Sequence, residues 1–231
     1  MTQLTLTERL SDVHGRIALA ADSANRKLHE IHLVIVTKNH PADLALELLA
    51  LGESNFGENK DQEASAKAES VKLANITGLE PTWHFVGQLQ SNKVKSMLGY
   101  SQVLHSLDRP SLLSELVKQL DKAPERSLDV FIELNLTGDP GRGGIMPTDL
   151  IAFAESVLLA KQLNLLGVMG VAGLEGSAAS YFETIAKASA ELRTIAPEAS
   201  FISAGMSGDY EEAIRHGATH LRIGTAITGN R

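Results

Sequence analysis

The sequence alternates short apolar runs with amphipathic helical stretches, and this alternation restricts the fold more than any other feature. The runs are rich in apolar and β-branched residues, which is typical of strands buried in a parallel sheet. Their starts lie roughly 20 to 35 residues apart, the size of a βα unit. The predicted strands are His32–Thr37, Glu53–Gly57, Thr82–Gly87, Gln102–Leu107, Asp129–Asn135, Leu165–Ala172, Ala199–Ala204 and His220–Gly224.

Helical patterns fill the intervals between these runs, and one more helix precedes the first strand. This first helix is predicted over Leu4–Leu28, with Thr7 as a candidate cap. The clearest later helices are Ser111–Lys122, Thr148–Lys161, Ser177–Ile195 and Asp209–His216. Thr148, Ser177 and Asp209 are candidate N-caps, because short polar side chains accept hydrogen bonds from the first helical N–H groups.

Strict alternation of strand and helix predicts an α/β fold with a parallel sheet covered by helices. Eight strands in 231 residues favour closure into a single (β/α)8 TIM-type barrel with an extra N-terminal helix. The alternative is an open doubly wound sheet, but no Gly-x-Gly-x-x-Gly turn follows the first strand. Because no linker or change of composition divides the chain, one domain is expected over residues 1–231.

Composition narrows the class of protein. The net charge is -7 without a basic cluster, which argues against a nucleic-acid partner. The absence of cysteine excludes disulfides and Cys-ligated metals and agrees with a reducing compartment. The histidines show no metal-ligand spacing, so no metal is assigned. The first ten residues lack a secretory apolar region, and no apolar run reaches the ~20 residues of a membrane span. A cytoplasmic protein without a membrane partner is expected.

A lysine follows the first predicted strand. The run His32–Val36 is apolar, and Lys38 comes after Thr37. Because an unpaired ammonium is heavily penalised in an apolar core, this side chain is expected to point into the cavity onto which the strand end opens. A desolvated amine loses its proton readily and attacks carbonyl carbons, which is Schiff-base chemistry. The alternative is a lysine that extends from the strand end to water.

Glycines and hydroxyl residues follow the last two predicted strands. Gly205-Met206-Ser207-Gly208 leads into a helix, and Gly224-Thr225 follows strand eight. Glycine lets backbone N–H groups approach an anion, and Ser207 and Thr225 add hydroxyl donors. The loops after strands seven and eight are a recurrent phosphate site in (β/α)8 barrels. A phosphate site is therefore predicted here, with two ordinary turns as the alternative.

A basic residue on strand eight adds to this site. Arg222 lies two residues before Gly224, so both share one side of the strand. If that side faces the barrel mouth, the guanidinium lies beside a phosphate-bearing ligand. The alternative for Arg222 is a surface ion pair.

Four further residues are weaker candidates. His84 is either a proton shuttle or, more commonly for such a position, a hydrogen-bonded core histidine. Glu58 and Asn59 are candidates for capping the helix after strand two. The segment 139–144 is predicted to be a flexible loop, from which Arg142 could reach over the barrel mouth as a lid.

The sequence resembles the pyridoxal phosphate homeostasis protein family, single-domain relatives of the alanine racemase barrel. The matching segments run in order over nearly the entire chain, and the Trp-His-Phe and Gly-Met-Ser segments are specific. They are Val36-Thr37-Lys38-Asn39-His40-Pro41, Phe56-Gly57-Glu58-Asn59, the stretch from Trp83-His84-Phe85 to Gln90-Ser91-Asn92-Lys93, Gly205-Met206-Ser207-Gly208-Asp209 and Leu221-Arg222-Ile223-Gly224-Thr225-Ala226-Ile227.

The resemblance implies a cofactor, pyridoxal 5'-phosphate, and a role for each matching residue. Lys38 would carry the cofactor as a lysine aldimine, and Asn59 would lie against its ring. Arg222 would face the pyridine nitrogen. The residues implied in phosphate binding are Met206, Ser207, Gly224 and Thr225.

The chain departs from the family pattern at three places. The family usually has Ser-Lys-Thr-Lys-Pro where this chain has Thr37-Lys38-Asn39-His40-Pro41, so His40 replaces a second lysine. The family's Lys-Ser-Gly appears as Arg142-Gly143-Gly144, so a lysine-specific role there is not expected. The sequence ends at Arg231, so the last helix of the barrel is expected to be short or supplied by the N-terminal helix.

The resemblance implies a monomeric protein that buffers pyridoxal phosphate or delivers it, with apo pyridoxal-dependent enzymes as recipients. No catalytic residue is assigned. An arginine beside the ring nitrogen only donates hydrogen bonds, so the ring should stabilise carbanions weakly. The alternatives are an amino-acid racemase or another pyridoxal enzyme, and an unrelated phosphate-binding barrel enzyme. Racemisation needs acid/base groups on both faces of the substrate carbon, and none of the tyrosines lies at a predicted strand end.

Overall fold

The computed structural model describes residues 4–139, 141–173 and 175–229. Its strands are all parallel and close in chain order into a barrel, with the last strand paired to the first. The (β/α)8 prediction is therefore confirmed, and the open-sheet alternative is wrong. The strands are β1 His32–Val36, β2 Asn55–Glu58, β3 Thr82–Phe85, β4 Val103–Leu107, β5 Leu128–Glu133, β6 Leu163–Met169, β7 Phe201–Ser203 and β8 His220–Ile223.

Helices follow the strands and form the outer layer. They are α1 Leu6–Ser23, α2 Ala42–Ala50, α3 Asp61–Ala74, α4 Val94–Met97, α5 Pro110–Leu120, α6 Leu150–Leu158, α7 Ala178–Leu192, α8 Tyr210–Arg215 and α9 Thr225–Thr228. Short 3-10 turns lie at Leu28–Glu30, Ser91–Lys93 and Pro147–Asp149.

The helix starts confirm one predicted cap and correct three. Ser177 caps α7 by accepting a hydrogen bond from the Ser180 N–H. Thr7 lies inside α1, which begins instead with a capping box between Thr5 and Glu8. The remaining two predicted caps, Thr148 and Asp209, make no side-chain bond to the helix that follows, because Thr148 lies within a 3-10 turn and the Asp209 carboxylate accepts from the Met206 N–H.

The hydrophobic core lies mainly between the outer face of the barrel and the helices. Alternate strand residues such as Ile35, Leu104 and Ile132 point outward into this layer and are completely buried. Fully burying a side chain of this size contributes about 1.5–3 kcal/mol. The barrel interior holds a separate small apolar cluster of Val103, Phe131 and Met169. Buried polar side chains, including those of His105 and Arg222, occupy other parts of the interior.

Helix α1 packs against α8 and α9, beside the last strand of the barrel. Arg9 Nε donates to the Ile227 carbonyl at 2.6 Å, and Arg26 Nη1 donates to the Ala218 carbonyl at 2.6 Å. Since α9 is only four residues long, the N-terminal helix covers this side of the barrel, as the sequence led us to expect.

Two further properties concern the described part of the chain alone. None of its helices combines the length and apolar character that crossing a membrane requires. Its His, Asp and Glu side chains form no group of three or more arranged to hold a metal ion.

Candidate functional site

Lys38 lies in a tight turn immediately after β1. The His40 N–H donates to the Thr37 carbonyl at 3.1 Å, and Asn39 has a φ of +60°. Asn39 suits this position because asparagine tolerates the left-handed conformation better than most residues. Lys38 is exposed and lines a pocket of about 350 Å³. The other residues that line it are Val36, His40, Gly224, Thr225, Thr228 and Gly229.

The Lys38 pocket opens at the end of the barrel interior. A Cβ atom on Gly57 would lie 3.2 Å from side-chain atoms of both Val34 and Val36, so these two valines point inward with Gly57. A Cβ on Gly224 would lie 3.5 Å from Val36 Cβ. Lys38 is two residues beyond Val36, so the alternation of the strand places it on the same side as Val36, toward the barrel mouth.

The loops after β7 and β8 meet beside this pocket. Ser207 Oγ lies 3.4 Å from Thr225 Oγ1 and accepts a hydrogen bond from the Ala226 N–H at 3.3 Å. The two predicted phosphate-binding hydroxyls are therefore adjacent. Met206 is 40% exposed, and its N–H donates to Asp209 Oδ1 at 2.6 Å, so this donor is already engaged.

Gly205 makes the β7 loop possible. Its φ of +92° is a conformation that glycine adopts readily and other residues rarely adopt. A Cβ atom there would lie 2.8 Å from Ala213 Cβ and 2.9 Å from Tyr210 Cα. The glycine therefore lets the loop that carries Ser207 pack directly on α8.

Arg222 lies inside the barrel and is only 5% exposed, so the alternative of a surface ion pair is wrong. Its Nη1 donates to Ser203 Oγ at 2.5 Å, and its Nη2 donates to the Gly170 carbonyl at 3.0 Å. Burial lowers the pKa of Arg222 to about 10, with Glu133 and Asp209 opposing the shift. The guanidinium therefore remains charged at neutral pH, and its bonds to Ser203 and Gly170 fix its position.

A chain of hydrogen bonds runs from Arg222 across the barrel interior. Burial lowers the pKa of His84 to about 3 and that of His105 well below its ordinary value, so both rings are neutral. His84 Nε2 lies 3.1 Å from Asn55 Oδ1, which only accepts, so this ring nitrogen carries the proton. His105 Nε2 must then donate to His84 Nδ1 at 2.9 Å, and Ser203 Oγ must donate to His105 Nδ1 at 2.7 Å.

Each member of this chain therefore donates in one direction, from Arg222 toward Asn55. Ser203 gives its proton to His105 and accepts from Arg222, which fixes the orientation of the guanidinium. His84 is thus a hydrogen-bonded core histidine rather than a residue of the Lys38 pocket. No motif or spacing in the sequence indicates His105 or Ser203, although both occupy alternate positions in apolar runs.

Asn59 is near Lys38 but lines another pocket. The paired residues Val36 of β1 and Gly57 of β2 precede Lys38 and Asn59 by two positions each. The pocket beside Asn59 has a volume of about 560 Å³ and is also lined by Gln88, Lys93 and other polar residues. Asn59 Oδ1 is buried and has no hydrogen-bond partner in the described structure. Such a buried acceptor is rare and suits a donor from a ligand.

Glu58 does not cap a helix, and neither does Asn59, so that prediction is wrong. Glu58 is the last residue of β2, and α3 begins after Lys60, which makes no side-chain cap. The Glu58 carboxylate is buried and accepts from Thr37 Oγ1 at 2.7 Å and from Lys67 Nζ at 2.5 Å.

The Arg142 segment lines a third pocket, of about 210 Å³, together with Glu133 and Asn135. Asn135 Nδ2 donates to the Asp139 and Arg142 carbonyls at 2.9 and 3.0 Å, so the segment is held against the end of β5. Residue 140 lies outside the described residues. Burial raises the pKa of Glu133 to about 7, and the nearby carboxylate of Asp108 contributes to the shift in the same direction. The sequence signal for Glu133 was a carboxylate at the end of an apolar run.

Comparison with known proteins identifies the family of the chain. The chain matches the family described as alanine racemase, N-terminal domain, over residues 16–231. It is 35% identical to proteins named pyridoxal phosphate homeostasis protein from Mycobacterium leprae and Escherichia coli. The first alignment covers 97% of this chain and 92% of the relative, and the second covers 98% and 97%.

Solved structures share the fold over almost the full chain. PipY of Synechococcus elongatus, solved with PLP bound, is 31% identical with a TM-score of 0.83, over 97% of this chain and 100% of PipY. Alanine racemase from Corynebacterium glutamicum has a TM-score of 0.70 at 14% identity, over 96% of this chain and 61% of the racemase, and shares the fold alone. Together with the curated relatives, these matches show that the chain belongs to the pyridoxal phosphate homeostasis protein family, within the alanine racemase N-terminal domain family.

Proposed function

We propose that this protein binds pyridoxal 5'-phosphate through Lys38 and buffers it or delivers it to other proteins, without strong catalysis of its own. The observation that carries this proposal is the Lys38 pocket, in which one primary amine shares a cavity with Gly224 and Thr225. Relatives of this chain are named for pyridoxal phosphate homeostasis, and PipY was solved with PLP bound.

The residues present fit this cofactor. It supplies an aldehyde that condenses with a primary amine, and a ring that withdraws electrons. Lys38 would hold the cofactor through its primary amine, Nζ. The adjacent hydroxyls of Ser207 and Thr225 would donate to its phosphate, together with the backbone around Gly224. Asn59 Oδ1 would accept a hydrogen bond from the bound molecule, since it is a buried acceptor for which the described residues provide no donor.

The charge of Arg222 favours a carrier over an enzyme. A guanidinium facing the pyridine nitrogen cannot accept a proton from it, so the ring would stay a weak electron sink. Among the described residues that line the Lys38 pocket, His40 is the only other titratable one, and it belongs to the same turn. Racemisation needs proton transfer on opposite faces of the substrate carbon. Two groups from one turn do not provide such an arrangement.

Two assays on the loaded protein test the carrier role. Mixed with an apo pyridoxal-dependent enzyme, the loaded protein should restore that enzyme's activity. Incubated with L-alanine or other amino acids alone, it should produce neither the D-enantiomer nor a keto acid. Rapid amino-acid turnover would contradict the carrier role, and failure to load any recipient would contradict delivery.

The phosphate site gives a separate prediction. Replacing both Ser207 and Thr225 by alanine should weaken binding of pyridoxal phosphate far more than binding of pyridoxal. Each lost hydrogen bond to a charged group costs about 1.5–3 kcal/mol, so the pair should cost about a hundredfold or more in affinity. Titration followed by absorbance or fluorescence measures both ligands.

Thr228→Ala is the matched control, because Thr228 lines the same pocket but lies at the end of α9. It should leave the ratio of the two affinities nearly unchanged. An equal loss for pyridoxal and pyridoxal phosphate in the double variant would place the anion site elsewhere.

A further inference from the structure

We infer that Lys67 is a positioning residue for Lys38: it holds the turn that presents the Lys38 amine to the aldehyde. This inference rests on the proposed function of Lys38. Lys67 lies on α3, and it is not among the described residues that line the Lys38 pocket. Its action is therefore exerted on the backbone next to Lys38.

The ammonium of Lys67 binds the residue immediately before Lys38. Lys67 Nζ donates to the Thr37 carbonyl at 2.7 Å, to Glu58 Oε1 at 2.5 Å and to Glu63 Oε1 at 3.2 Å. These are three acceptors for three N–H donors. The Lys67 side chain is only 3% exposed, so water competes little for these bonds.

The same cluster binds the residue immediately after Lys38. The Asn39 N–H donates to Glu63 Oε1, the carboxylate oxygen that also accepts from Lys67. The Thr37 carbonyl additionally accepts from the His40 N–H at 3.1 Å, which closes the turn. The backbone on both sides of Lys38 is thus connected to one buried ammonium, directly at Thr37 and through Glu63 at Asn39.

Stability alone does not account for this arrangement. Burying an ammonium and a carboxylate removes both from water, and such a pair often stabilises no better than apolar residues of the same shape. Burial raises the pKa of Glu58 even though hydrogen bonds from Lys67 and Thr37 oppose the shift. Glu58 Oε2 has no hydrogen-bond partner in the described structure, so the cluster is costly. What it provides is a fixed backbone at Thr37 and Asn39.

The decisive comparison uses two ligands that differ at one group. Pyridoxal phosphate can bond covalently to Lys38, whereas pyridoxine phosphate carries an alcohol in place of the aldehyde. In Lys67→Met, the rate of borohydride-trappable attachment should fall about tenfold to a hundredfold, because a displaced nucleophile loses its attack geometry. Affinity for pyridoxine phosphate should change less than about twofold, since Ser207 and Thr225 belong to the loops after β7 and β8 and bond to each other rather than to the Lys67 cluster.

Two further variants separate positioning from stability. Lys72→Met makes the same substitution at an exposed position of α3. It should leave the trapping rate and the affinity for pyridoxine phosphate at wild-type values. Glu58→Gln/Lys67→Met removes the carboxylate that the single substitution would leave buried without a counter-charge. It should recover much of any lost thermal stability without restoring the trapping rate.

A wild-type trapping rate in a folded Lys67→Met protein would overturn the inference. A parallel fall in the trapping rate and in the affinity for pyridoxine phosphate in the double variant would also overturn it, because a purely structural role predicts that result. If the wild-type protein itself forms no trappable bond at Lys38, the proposed function fails and the inference fails with it.

Discussion

Replacing Lys38 by alanine should abolish covalent capture of pyridoxal phosphate while leaving weaker binding of the intact molecule. The amine is the group in the Lys38 pocket that can form a C=N bond, whereas Thr225 and Gly224 would hold the phosphate under the proposed function. The wild-type protein should absorb at the violet edge of the visible spectrum, which makes its solution yellow, and lose this band on borohydride reduction. Peptide mass mapping should then find the added mass on the peptide that contains Lys38.

Lys93 is the competing amine and provides the matched control. It ends a 3-10 turn and lines the pocket beside Asn59, and its Nζ lies 4.0 Å from Asp61 Oδ2. Lys93→Ala should trap as much cofactor as the wild type. Added mass on Lys93 in the wild-type protein would show that the assignment of Lys38 is wrong.

The second large effect is expected at Arg222, where a change of charge should increase proton exchange at the α-carbon of an amino acid. Under the proposed arrangement the guanidinium faces the pyridine nitrogen. Arg222→Glu would replace it by a group that lets the ring nitrogen hold a proton, which strengthens the electron sink. NMR loss of the alanine α-proton signal in deuterated water should then be faster than in the wild type.

The structure determines how this experiment must be controlled. Arg222 is buried near Glu133, so a new carboxylate would face an existing one, and Glu133→Gln should accompany the substitution. Arg222→Met with the same Glu133→Gln background removes the cation without adding an acceptor and should not accelerate exchange. Binding of the cofactor must be verified first for both variants. Rapid exchange by the wild-type protein would make it an enzyme and overturn the carrier proposal.

The barrel could be predicted because its sequence signal is local. Outward-facing residues of each strand, such as Ile35 and Leu104, are buried under helices, which produces the apolar runs. The hydrogen-bonded chain inside the barrel had no such signal. His84 and His105 are 21 residues apart, and their contact depends on the register that pairs His84 with Val103. Neither residue type nor spacing specifies that register.

The same distinction applies to the candidate site. Lys38, Ser207 and Thr225 could be found from the sequence because each lies in a loop that follows a strand, where the loops of a barrel converge. Glu58 was misread as a helix cap because β2 extends through it. Lys67 was missed because the α3 sequence is polar and reads as a solvent-exposed face, although that lysine is buried. Its burial depends on Glu58 and Thr37, which are distant in sequence.

The position of the Lys38 pocket between the first and the last strand has a consequence for biosynthesis. Lys38 and His40 follow β1, whereas Gly224 and Thr225 follow β8 and are synthesised much later. The bond from Arg9 to Ile227 likewise joins residues separated by 218 positions. Contacts of this range form late in folding, because a long loop must close first. A nascent chain that ends before β8 therefore lacks part of the Lys38 pocket, which is complete only after β8 has been synthesised and the barrel has closed.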